Sequence, residues 1–131
     1  MNIINGWPPN FPEIVKEFPA ARGPSVIFAY APDIYAPGRT NLPQHLLVHE
    51  AVHIRRQAAL GVEEWWRRYL TDAQFRYDEE LLAHRAEYQF LQERATSRQH
   101  RRSVLKQVAW RLASPLYGVC KLKKAMEDIA A

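Results

Sequence analysis

A single cysteine, Cys120, stands in 131 residues, so no disulfide can close within the chain and cysteine usage gives no sign of an oxidising compartment. Its expected role is that of a small buried side chain. No stretch approaches the roughly 20 unbroken apolar residues of a membrane-spanning helix. The segment Met1 to Pro12 has neither the basic stretch nor the apolar run of a secretion signal, so the cytoplasm is the expected location. Internal repeats, low-complexity tracts and linkers are missing too, and so is any nucleic-acid-binding motif.

The composition is that of an ordinary globular protein, 47% hydrophobic and 24% charged. The length predicts one domain over residues 1–131, without room for a second comparable core. Nine prolines and four tryptophans point to defined turns and a packed interior. The formal charge of +4 is modest but uneven. Arg94, Arg98, His100, Arg101, Arg102 and Lys106 crowd the 94–106 stretch, and Lys121, Lys123 and Lys124 follow. Such a stretch is either a solvated helix face or a patch that attracts an anionic polymer.

Residues 1–10 read as an irregular arm, because Pro8 and Pro9 block regular structure. Pro12 to Phe18 predicts a short helix ended by Pro19. Ser25 to Tyr30 and Ile34 to Ala36 are rich in β-formers and predict a small sheet, the first strand being a place where an extended peptide could add. Asn41 is expected to cap a helix that runs to about Leu60 and stops at Gly61, with Gln44 completing a capping box. Its apolar residues cover most of the circumference, which predicts a helix in the middle of the domain. Further helices are expected over Val62–Leu70, from about Tyr77 to Thr96, through the arginine-rich stretch to Ala113, and over Lys121–Ala130. The fold class is therefore α+β: a small N-terminal β-sheet packed on a mainly helical body.

The central helix carries His49-Glu50-Ala51-Val52-His53. Residues four apart lie about 40° apart around a helix axis, so His49 and His53 can reach one ion at a zinc–nitrogen distance of about 2.0–2.1 Å. Glu50 projects about 100° away and flanks the place of a water at that ion. His45 lies near the same face, but it is about 12 Å along the axis from His53, too far to share the ion. It is expected to orient a ligand or lie on the surface.

A third ligand must come from another element. On the wheel of the long helix, Asp78, Arg85, Gln89, Gln92 and Glu93 form a polar side, and Glu80 falls in the middle of the opposite, apolar side. A carboxylate aimed at a core needs a strong partner, and a metal ion is one. His84 and Glu87 share that face and are the alternatives, either as ligand or as groups that orient one. Glu79 falls at the edge of the polar side and is expected to be solvated.

His49-Glu50-Ala51-Val52-His53 followed by Glu80-Leu81-Leu82-Ala83 resembles the zincin-type metallopeptidases with a glutamate third ligand, the gluzincin pattern. More closely, Ile34-Tyr35, His49–Gln57, Trp65-Trp66, Phe75-Arg76, Glu80–Glu87 and Ser114-Pro115-Leu116-Tyr117-Gly118 resemble short metallopeptidases of phages and prophages. The resemblance spans most of the chain beyond residue 25; its HExxH part is specific and its other matches are loose. It implies one Zn2+ per chain held by His49, His53 and Glu80, with Glu50 as general base, and it would put a phage-encoded protein in the host cytoplasm or the virion. Tyr117 is a candidate donor to the oxyanion of a tetrahedral intermediate, the alternative being a tyrosine packed at a turn. The expected function is a zinc-dependent hydrolase, a metalloendopeptidase acting on a peptide or protein. Its rivals are a non-catalytic, virion-associated binding protein on the same scaffold and a hydrolase of cell-wall peptide cross-links.

Overall fold

Gly61 adopts φ 98° and its N–H caps Gln57, so the central helix ends there and a new one starts at once in another direction. That joint organises a computed structural model that describes residues 1–114 and 121–131. Its elements, in chain order, are β1 (Ile3–Ile4), α1 (Phe11–Glu17), a 3₁₀ turn (Pro19–Arg22), β2 (Phe28–Tyr30), β3 (Asp33–Tyr35), α2 (Gln44–Leu60), α3 (Val62–Thr71), α4 (Ala73–Glu93), α5 (Arg98–Leu112) and α6 (Leu122–Ala130). The fold is α+β, with a small sheet on a mostly helical body. Among the described residues, no helix is long and apolar enough to cross a membrane.

The sheet has the order β1-β3-β2, with β1 parallel to β3 and β2 antiparallel to it. The N-terminal arm is thus not wholly irregular: Ile3 and Ile4 pair with Ile34 and Tyr35. Two residues are too short for an alternation signal, and only their partner strand makes them a strand. The β2 strand is shorter than expected. Ser25 has φ 71°, in the left-handed region, so regular extended backbone does not begin there.

Two helix starts also differ from expectation. The N-cap of α2 is Pro43, at ψ 147°, and no side chain caps it, so neither Asn41 nor a capping box opens the helix. A proline's fixed φ suits this entry without a capping side chain. The α4 helix begins at Ala73, because the Asp72 carboxylate accepts from the N–H groups of Gln74 and Phe75. Ser97 caps α5 in the same manner.

Three apolar clusters hold the elements. Ile14, Ala21, Phe28, Trp65, Trp66 and Tyr69 join α1, β2 and α3. Val104, Val108, Leu112, Ala125 and Ile129 join α5 and α6 to Tyr77 of α4. Ile34, Ala36 and Leu42 seal the sheet. Between them α2 packs along α4. The expectation that α2 is buried all round is corrected: its inner face is His49, Glu50, Val52, His53 and Gln57, while Ala58, Ala59 and Leu60 are exposed. A mainly polar face turned inward requires partners.

Candidate metal centre

Helix α2 supplies His49 and His53, and α4 supplies Glu80, all buried. His49 Nε2 lies 3.4 Å from Glu80 Oε1, and His53 Nε2 lies 3.3 Å from Glu80 Oε2. One ligand atom from each residue falls within 4.8 Å of the others. Donors placed tetrahedrally about 2.0–2.1 Å from one ion would stand about 3.3 Å apart, close to each of these separations, which involve one Glu80 oxygen apiece. Glu80 Oε1 is also buried without a hydrogen-bond partner. The donor set and this orphaned oxygen fit a divalent ion bound by two imidazoles and a carboxylate.

The surrounding groups fix these donors. The hydroxyl of Tyr69, on α3, donates to Glu80 Oε2 at 2.7 Å. His49 donates Nδ1–H to Glu87 Oε1 at 3.1 Å, which turns Nε2 toward Glu80. Glu87 also accepts from His45 Nδ1 at 2.7 Å and from Arg111 of α5. His84 donates Nδ1–H to the Glu80 carbonyl at 2.7 Å. His49, His84 and Glu87 form a second trio with ligand spacing. However, Glu87 already carries Arg111 and two histidines, so another cation there would meet a guanidinium. The better account of this trio is a hydrogen-bonded support for His49.

The electrostatics agree with that division. Burial works against a charged His49, yet its bonds to Glu80 and Glu87 and the nearby Glu50 charge prevail and raise it to about 10. The carboxylates around the imidazole therefore favour a positive charge on His49. Burial opposes the Glu80 charge too, but His53 and His49 hold that carboxyl well below its usual range. Burial and then the His49 charge push His84 down to about 3, which keeps it neutral. Against burial, His49 and Arg111 hold Glu87 at about 2.

Glu50 stands apart from the donor set. It is 7% exposed, and burial, offset only in part by His49 and His53, raises its carboxyl above the usual value. No side-chain hydrogen bond of Glu50 exists among the described residues. It borders two recesses. One is apolar, about 70 Å³, and leads past Ile14, Phe18, Phe28 and Trp66 down to His49, His53 and Glu80. The other opens toward α5.

The structure brings together His49, Glu50, His53, Glu80, His84 and Glu87. Tyr117 lies outside the described residues. Glu79 is corrected: it is not solvated but 2% exposed, held by both oxygens to Arg56 and by Oε1 to Trp65 Nε1 at 2.7 Å. Those partners come from α2 and α3, which the wheel of one helix does not contain. Tyr69 and Arg111 were not among the expected site residues. For Tyr69 the only sequence signal is its place four residues after Trp65, on the buried face of α3. Arg94, Arg98, His100, Arg101, Arg102, Lys106, Lys121, Lys123 and Lys124, read either as a solvated face or as an anion-attracting patch, are all exposed. No family model, no curated protein and no solved structure matches this chain.

Proposed function

We propose that the protein is a zinc-dependent hydrolase, a metallopeptidase that cleaves a peptide bond with Glu50 as general base. The observation that carries this reading is the division of labour on α2. Two histidines and the facing Glu80 make a three-donor set, while Glu50 lies beside it, its carboxylate without a hydrogen bond among the described residues and at the meeting of two recesses. A closed structural site needs four protein donors and no such carboxylate.

Zinc, when bound, lowers the pKa of a coordinated water toward about 7 and polarises a substrate carbonyl. The chain's own residues do the rest. Glu50 accepts a proton from the attacking water and returns it to the leaving nitrogen, and its raised pKa brings it nearer the working range of such a base. Tyr69 and Glu87 hold Glu80 and His49 in place. The apolar recess limits water around the reacting groups. Strand addition by an extended substrate is confined to the segment before Phe28, because the Ala29 carbonyl is already taken by Gln57 and Trp66.

Elemental analysis of the purified protein, paired with a peptide-library cleavage assay, tests the proposal. The expected result is one zinc per chain and cleavage abolished by a chelator, with both lost in the His49→Ala/His53→Ala variant. Full zinc content in that variant would refute the ligand assignment. Chelator-insensitive cleavage would refute the mechanism.

A further inference from the structure

The second recess beside Glu50 differs in kind from the apolar one. It lies between the segment Ser25 to Ile27, the start of α2 and the end of α5, and its volume of about 370 Å³ admits a whole side chain rather than water alone. Arg39, His45 and Arg111 line it, and among its described lining residues Glu50 is the only carboxylate. Arg39 has no ion pair or side-chain hydrogen bond among the described residues. Arg111 contacts Glu87 through Nη2 alone, and a guanidinium carries five N–H donors in a planar fork. Trp110, also on the lining, is 69% exposed, an unusual position for so large an apolar ring unless something covers it.

A solvated surface arginine would explain Arg39 by itself. It does not explain two guanidinium groups and an uncovered indole on one recess that ends at Glu50. Guanidinium groups with spare donors match the fork geometry of a carboxylate. We infer that this recess is a carboxylate-recognition subsite. A substrate presents a carboxylate to Arg39 and Arg111 on one side of the scissile bond, Trp110 covers that portion, and an apolar residue occupies the recess on the other side. The inference deepens the peptidase reading and rests on it for the ligand being a peptide. The carboxylate comes from an acidic side chain or from a free C-terminus.

Three N-acetylated hexapeptides with a central leucine separate these sources. One carries glutamates on both sides of the leucine and an amidated end, one carries glutamines and a free C-terminus, and one carries glutamines and an amidated end. Each is titrated into the zinc-loaded full chain by calorimetry, with the Trp110 indole N–H resonance as a second readout. One or both carboxylate peptides should bind about tenfold more tightly than the neutral one and shift that resonance. Which of them does so names the source. Arg39→Gln, at a partly exposed position outside the metal centre, should remove the preference while zinc content stays unchanged. Equal binding of all three peptides, binding of none, or a preference that survives Arg39→Gln would overturn the inference. A carboxylate preference without cleavage of any peptide would uphold the subsite and sink the enzymatic reading instead.

Discussion

Glu79 and Glu80 are adjacent, both buried, and supported in opposite ways. Glu79 has a guanidinium and an indole N–H to satisfy it, whereas Glu80 Oε1 has no hydrogen-bond partner, and the two Glu80 oxygens face the imidazoles of His49 and His53. Glu80→Gln should therefore weaken zinc binding sharply in a competition titration with a chelator. Glu79→Gln should leave zinc stoichiometry intact but lower stability by about 1–3 kcal/mol in urea unfolding, because it leaves Arg56 without its charged partner. The reverse pattern would mean that the two carboxylates have been assigned the wrong way round. Tyr69→Phe removes one hydrogen bond to Glu80, and groups that orient a ligand are commonly worth 10–100-fold in metal affinity. A loss of about tenfold by the same titration is expected, and an unchanged affinity would reduce Tyr69 to packing. The polarity pattern of α4 made Glu80 readable as an inward carboxylate, since nothing else on that face is acidic until Glu87. It misplaced Glu79 for a physical reason: burial of a boundary residue is decided by whether a neighbouring helix brings a countercharge, and Arg56 lies 23 positions away.

At the scale of elements, Gln57 joins α2 to the sheet. Its Nε2 donates to the Ala29 carbonyl at 2.8 Å and its Oε1 accepts from the Ala31 N–H at 2.7 Å, with no exposure at all. Trp66 donates to the same carbonyl at 3.1 Å. Gln57→Ala would strand the partly buried Ala31 N–H, remove one donor from the buried Ala29 carbonyl and leave a cavity, so a loss of about 2–4 kcal/mol is expected in urea unfolding. A loss below half a kcal/mol would show that the sheet docks on α2 without it. The end of α2 and the start of α3 followed from composition because Gly61 marks their joint by a backbone angle that few other residues adopt. The early start of α4 did not, since Asp72 is one of several capping-type residues in a polar turn and only its bonds to Gln74 and Phe75 single it out. The β1 strand was invisible for a different reason: a two-residue strand is defined by register with β3, not by its own pattern.

At the scale of the whole molecule, β2 and α3 pack on α2 while α5 and α6 pack on α4, and the facing surfaces of the α2–α4 pair are largely ionisable. The α+β class was readable from the order of β-rich and helical segments. The network from Tyr69 to Arg111 was not, because it draws on α3 and α5, whose relation to α2 is set by packing. Such a pair should be stabilised by its ion. At a free zinc concentration about a hundredfold above Kd, linkage supplies about 2.7 kcal/mol. Stripping the metal should lower the thermal midpoint by on the order of 10 °C, followed by calorimetry, and readdition should restore it. A midpoint indifferent to zinc would argue that the pair is held by hydrogen bonds alone. The most direct test of the central claim is Glu50→Gln, assayed for zinc content and for cleavage of any peptide that the parent protein cuts. Glu50 holds no donor-set position, so zinc should remain at one per chain. Loss of the proton carrier should nevertheless slow cleavage by about 10²–10⁴-fold. Cleavage at the parent rate with zinc retained would contradict the account.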